Sequence, residues 1–109
     1  MTETILADVD GTANRTSNIV PNNGANVSLW AKGTTLSAGT ATVKLQWCNK
    51  KSTVDADWID LEDSTVTLAV TATGYGSAII ACCGAYIRAV YTKNSNATGT
   101  IEAIINFQR

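Results

Sequence analysis

The chain has 109 residues, of which 45% are hydrophobic and only 16% charged, and its net charge is −1. That length is one domain with a single core, and apolar content this high excludes a disordered chain. Lys50 and Lys51 are the one short basic run; this is too little for a phosphate-binding footprint, so no nucleic-acid partner is expected.

The dominant hydrophobic period is two, interrupted at short intervals by Gly, Asn, Ser and Asp clusters. This predicts an all-β domain, an antiparallel two-sheet β-sandwich of jelly-roll type with about eight strands and little or no helix. Strands are expected near residues 3–9, 15–20, 26–32, 40–48, 57–62, 65–72, 77–82, 85–92 and 99–107. The opening "MTETILADVDG" has neither a basic region nor an apolar stretch, so it does not read as a signal peptide. Synthesis in a cytoplasm, or earlier processing, is expected. No apolar run approaches the roughly 20 residues that cross a bilayer as a helix, and no membrane partner is expected.

"DVDG" (8–11) opens like a calcium loop but lacks the later oxygen ligands, and a turn after the first strand is the simpler reading. "PNNGAN" (21–26) joins the only proline to Asn-Asn-Gly, a strong turn signal. In "ATVKLQWCN" (41–49), Val43, Leu45 and Trp47 point one way and Lys44, Gln46 and Cys48 the other. "NKKSTVDAD" (49–57) is a long polar loop. It leads into "DADWIDLED" (55–63), which holds Asp55, Asp57, Asp60, Glu62 and Asp63. There Asp60 and Glu62 share a strand face with Trp58, and Ile59 and Leu61 take the other. A solvated acidic face explains them more simply than a metal or acid/base site, because paired catalytic carboxylates must be held across a cleft.

Tyr75, in "TGYGS", stands between two glycines at an expected loop tip. In "AYIRAVYT" (85–92), Ile87 and Ala89 oppose Tyr86, Arg88 and Val90, so both faces carry apolar material. Such a strand sits centrally, or turns one face to a partner chain. In "TIEAIINFQ" (100–108), Ile101, Ala103, Ile105 and Phe107 oppose Thr100, Glu102, Ile104 and Asn106.

The chain contains no histidine, which removes Ser-His-Asp and Cys-His nucleophile systems and most zinc and copper sites. The three cysteines, Cys48, Cys82 and Cys83, are odd in number and lack C-x-x-C spacing. Adjacent strand residues point to opposite faces, so Cys82 and Cys83 are expected as packing residues. One belongs in the core and the other against a second layer or a second chain. No catalytic, cofactor-binding or metal-binding residue is assigned. Trp30, Trp58, Asp60 and Tyr75 are the candidates for an interface or ligand surface, with Trp58 the best exposed of them because it follows a polar loop among acids. Core or loop-packing roles are the alternative for each aromatic. The N-x-S/T triplets at Asn14, Asn26 and Asn96 carry no weight in a sequence this rich in Asn, Ser and Thr.

The order "VKLQW", polar loop, "ADWIDL", strand, "GAYIRAVYT", turn, "ATGTIEAIIN" resembles small β-sandwich proteins of tailed-bacteriophage virions. These include capsid decoration (cement) proteins, head fibres and tail accessories. The order is also similar in outline to galactose-binding-like sandwiches, but "CNKKSTVDADW" lacks the Ser and Gly of their usual loop, and no sugar or calcium site is carried over. The phage resemblance implies a non-enzymatic homo-oligomer, a trimer by preference, seated on the major capsid protein at the capsid surface. Residues 1–20 would then serve as an arm between subunits. The alternative is a carbohydrate- or receptor-binding sandwich of a fibre or tail accessory protein. The two differ in what is exposed: a structural protein calls for a flat, apolar or Thr-rich contact face, and a binding module for aromatics around a concave site.

Overall fold

The computed structural model describes residues 1–70, 73–82, 84–95 and 98–108. Cys83, one of the paired cysteines, lies outside the described residues. Eleven strands are described: β1 (Thr2–Asp10), β2 (Arg15–Thr16), β3 (Val20–Pro21), β4 (Asn26–Thr34), β5 (Thr42–Cys48), β6 (Ile59–Asp60), β7 (Val66–Thr67), β8 (Gly74–Gly76), β9 (Ile80–Ala81), β10 (Tyr86–Thr92) and β11 (Thr100–Gln108). One short 3-10 turn, Asp55–Asp57, precedes β6.

The strands form two antiparallel sheets. The first runs β1-β11-β4-β8, with β9 also on β4; the second runs β2-β10-β5-β6, with β3 also on β10 and β7 also on β5. The pairs β2/β3, β6/β7 and β8/β9 therefore each occupy one position beside a long strand. Counted by position, the sandwich has the eight strands and two-sheet plan of a jelly roll. The all-β, two-sheet expectation is met. β8 is an addition: the "GYG" segment expected as a loop tip is an edge strand paired with β4 from Trp30 to Lys32.

The long strands form because their alternation holds for seven to nine residues. Val27, Leu29 and Ala31 of β4, with Ile101, Ala103, Ile105 and Phe107 of β11, face Val43 and Leu45 of β5 and Ile87, Ala89 and Tyr91 of β10 in one core. Leu6 of β1 and Cys82 join it. β1 keeps its contribution inward through two register irregularities, between Thr4 and Leu6 and between Leu6 and Val9. Asp8 takes the left-handed conformation there, at φ 49°, which a short polar side chain tolerates. The segment expected as an arm is thus folded into its own sandwich, with β1 along one edge.

A serine sits at each of the three breaks. Between β2 and β3, Ser17 Oγ accepts the Ala89 N–H of β10 at 2.8 Å. Between β6 and β7, Ser64 Oγ accepts the Leu45 N–H of β5 at 3.0 Å and donates to Leu61 O at 2.6 Å. Between β8 and β9, Ser77 Oγ accepts the Leu29 N–H of β4 at 2.9 Å. Where the neighbouring backbone turns away, a hydroxyl thus takes the N–H that a continuous ladder would have satisfied.

Candidate functional site

The outer faces of the two sheets are built differently. On the second sheet, residues 49–58 fold back over the outer face of β5 and β10. Trp58, expected to be exposed, is only 6% accessible. Its indole Nε1–H donates to Ser52 O at 3.1 Å, and the Arg88 guanidinium stacks over its ring, 4.6 Å from the centroid. Arg88 is itself 7% accessible. It donates from Nε to Gln46 Oε1 at 2.8 Å and from Nη1 to Asp55 Oδ1 at 3.1 Å. The acids around Trp58 misled the sequence reading: Asp55 and Asp57 belong to the loop that carries the indole inward, and they bind Arg88 and Ser52. The expected alternation through 58–61 also breaks, since Ile59 is exposed while Trp58 and Leu61 are buried.

Asp60 is exposed on β6, where it accepts from Gln46 Nε2 at 2.8 Å and Lys44 Nζ at 2.9 Å. The Gln46 bond first, and then Lys44, hold its carboxyl below the usual range. This is an edge ion pair on the sheet that does not carry Trp30 and Tyr75. Asp10 accepts from the Thr12 N–H and hydroxyl and pairs with Arg15 at 3.7 Å. Those bonds, the backbone one foremost, lower its pKa. "DVDG" therefore closes a turn. Among the described residues no three His, Cys, Asp or Glu side chains converge on a metal position. Cys48 and Cys82 are both buried.

The first sheet leaves its outer face open. Its rows follow from the registers of β1 with β11 and of β11 with β4. Thr2, Asn106 and Ser28 form one row; Thr4, Ile104 and Trp30 the next, ending on Gly76 of β8; then Glu102, Lys32 and Gly74. Trp30 is 37% accessible. Its indole fills the place a side chain at 74 would take: a Cβ there would stand 2.4 Å from Cζ2 and Nε1. Gly74 is thus required by close approach, and it fixes Trp30 across the edge strand. Tyr75, 38% accessible, lies opposite Ala31 on the same edge. Of the four expected surface residues, only Trp30 stands on this outer face: Tyr75 shares the edge strand but leaves it on the face of Ala31. Sequence reasoning missed Ile104, Lys32 and Glu102 as companions of Trp30, although all three occupy the polar phase of an alternating strand.

A cleft of about 420 Å³ also opens between β1 and β2, lined in part by Thr4, Leu6, Val9, Arg15 and Ser17. Its one charged side chain, Arg15, is engaged by Asp10.

No protein family matches the chain, and no curated protein does. Among solved structures, that of the PBSX exported protein XepA is similar over 100% of this chain and 38% of its own length, with 13% identity and a TM-score of 0.60. The chain therefore spans well under half of XepA. PirA matches over 95% of this chain and 89% of its own, at 16% identity and a TM-score of 0.47. The enzymatically active domain of bacteriophage CBA120 tailspike protein 4 matches over 97% of this chain and 19% of its own, at 15% identity and a TM-score of 0.44. At such identities the XepA likeness is one of fold, a sandwich of antiparallel sheets.

Proposed function

We propose that this chain is a non-enzymatic structural protein of a tailed-bacteriophage virion, a capsid cement or decoration protein that binds the major capsid protein and stabilises the shell. The observation that carries this reading is the open outer face of the first sheet. It is a flat array of Thr, Ser and Asn around Trp30 and Ile104, the surface a contact protein needs. The second sheet, by contrast, covers its own face with residues 49–58 and has little to offer a partner. The fold shared with XepA and the phage resemblance of the strand order support the same assignment. On this reading the protein is made in the host cytoplasm and ends on the capsid surface.

The test is co-sedimentation of the purified chain with shells of the phage's major capsid protein. Wild type is expected to pellet with shells without added ligand and to raise their melting temperature; Trp30→Asp is expected to lose both effects while remaining folded. Failure to bind shells, together with glycan-array signals abolished by Trp30→Ala, would overturn the assignment in favour of a carbohydrate-binding tail module.

A further inference from the structure

We infer that the outer face of the first sheet is occupied by a second copy of this chain. The two copies would pack face to face about a two-fold axis lying in the face, parallel to β4 and β11 and midway between them. The inference rests on the contact-face reading above and deepens it: in free solution the face takes a second copy, which the major capsid protein displaces when the chain binds a shell.

It starts from Lys32 and Glu102. They stand directly opposite each other on β4 and β11, beside the Trp30–Ile104 row. Opposed charges at such positions commonly pair across the strands. Yet among the described residues neither enters any of the ion pairs or side-chain hydrogen bonds, which join other residues. Each charge is left available on the face, in rows away from the Asp10–Arg15 pair at its end.

Rotation about the stated axis exchanges β4 with β11 and keeps every row in place. Lys32 then meets Glu102 of the second copy, and Glu102 meets its Lys32, so one unpaired couple becomes two ion pairs. In the next row Trp30 meets Ile104 and Ile104 meets Trp30; beyond it Ser28 meets Asn106. At the flanks, Thr4 of β1 comes over Gly76 of β8, where the absence of a side chain leaves room. Sheets packed face to face keep their strands within about 30° of each other, so the match holds over the central rows. A two-fold running across the strands would instead lay β4 on β4, setting Lys32 against Ser28 or against another Lys32. Charge complementarity selects the first axis.

The area fits a modest dimer. Three nine-residue strands and the short β8, at ~3.3 Å per residue and ~4.8 Å between strands, present about 500 Å² a side. Two copies bury about 1,000 Å², the lower bound of a specific interface. An isologous contact of this kind closes at two copies, so a dimer is expected where the resemblance alone implies a trimer.

The experiment is sedimentation velocity of the full chain across the micromolar to millimolar range, with Lys32→Glu, Glu102→Lys and the double reversal, folding being checked by circular dichroism. Wild type should show a monomer–dimer equilibrium. Each single reversal places two like-charged couples in contact and should weaken dimerisation about tenfold or more. The double reversal restores both pairs with unchanged net charge and should return the wild-type constant. A wild type that stays monomeric, a trimer, single reversals that dimerise as wild type, or a double reversal that does not recover would each overturn the inference. Shell co-sedimentation in parallel separates the two claims. A monomer that still binds shells removes the two-fold and leaves the virion assignment; a dimer that ignores shells does the reverse.

Discussion

Replacing Ser64 by alanine removes one oxygen and leaves one buried backbone N–H without its partner. The Leu45 N–H loses its acceptor at a residue with 0% accessibility where water has no entry, while Leu61 O loses the 2.6 Å hydroxyl but keeps the Ser64 N–H at 3.2 Å. A buried N–H left unsatisfied costs about 1–3 kcal/mol, and Ser64→Ala belongs near the top of that range. Ser17→Ala strands the Ala89 N–H at a site that is 9% accessible, for about 1–2 kcal/mol. Ser77 is half-buried, so a water can replace its hydroxyl at Leu29, and Ser77→Ala should cost about 0.5–1 kcal/mol. Urea unfolding is the assay. With m of about 1–3 kcal/mol/M, Ser64→Ala should move the midpoint down by about 1 M at unchanged m. Amide exchange at Leu45 should accelerate in that variant before exchange at its neighbours. Equal effects from all three variants, or the largest from Ser77→Ala, would refute the idea that these hydroxyls stand in for a missing strand.

Arg88→Met keeps the length of the side chain but loses the stacking on Trp58 and the bonds to Gln46 and Asp55. It should cost about 2–3 kcal/mol and red-shift the tryptophan emission. Arg88→Lys should recover little of this, because an ammonium cannot reproduce the planar fork; full recovery would contradict the geometry. Asp10, Asp57 and Asp60 have carboxyls held below the ordinary 3.8 by Thr12, Ser52 and Gln46 respectively. The folded chain therefore binds protons less readily than the unfolded one. The resulting stability is complete above the ordinary value and lost as pH falls through the folded values. Midpoints in urea should be level from pH ~7 to ~5 and decline below ~4. The decline should be shallow, since Asp10 and Asp60 are exposed and Asp57 is only half-buried, and Asp60→Asn should flatten it further.

The long strands were legible because their side chains answer only to the sheet they belong to. β4, β5, β10 and β11 show period two for seven to nine residues, and the central place expected for β10 follows from its two apolar faces. The short strands other than β8 were located but not resolved. The 15–20 segment is β2 and β3 with Ser17 between them, a division set by the pairing strand β10 and invisible in the local sequence. Trp58 was misread for a related reason. Its burial depends on Arg88, thirty positions along the chain, and polar neighbours read as solvent contacts when they are hydrogen-bond partners. Tyr75 was taken for a loop tip because glycines ordinarily mark turns; here Gly74 makes room for Trp30, again a distant residue. The expected split of the cysteine pair is half visible, with Cys82 in the core.

The interrupted strands have a consequence for how this chain can associate with copies of itself. Sheet edges polymerise when they offer a long, straight run of free N–H and C=O groups. Among the described residues, the edge positions filled by β2/β3, β6/β7 and β8/β9 offer no uninterrupted run longer than three residues. β1, the one long edge, is distorted twice along its length. Strand-to-strand growth into fibres is thereby suppressed at each of these edges. Association is left to the flat faces, where side chains rather than backbone decide which neighbour is accepted.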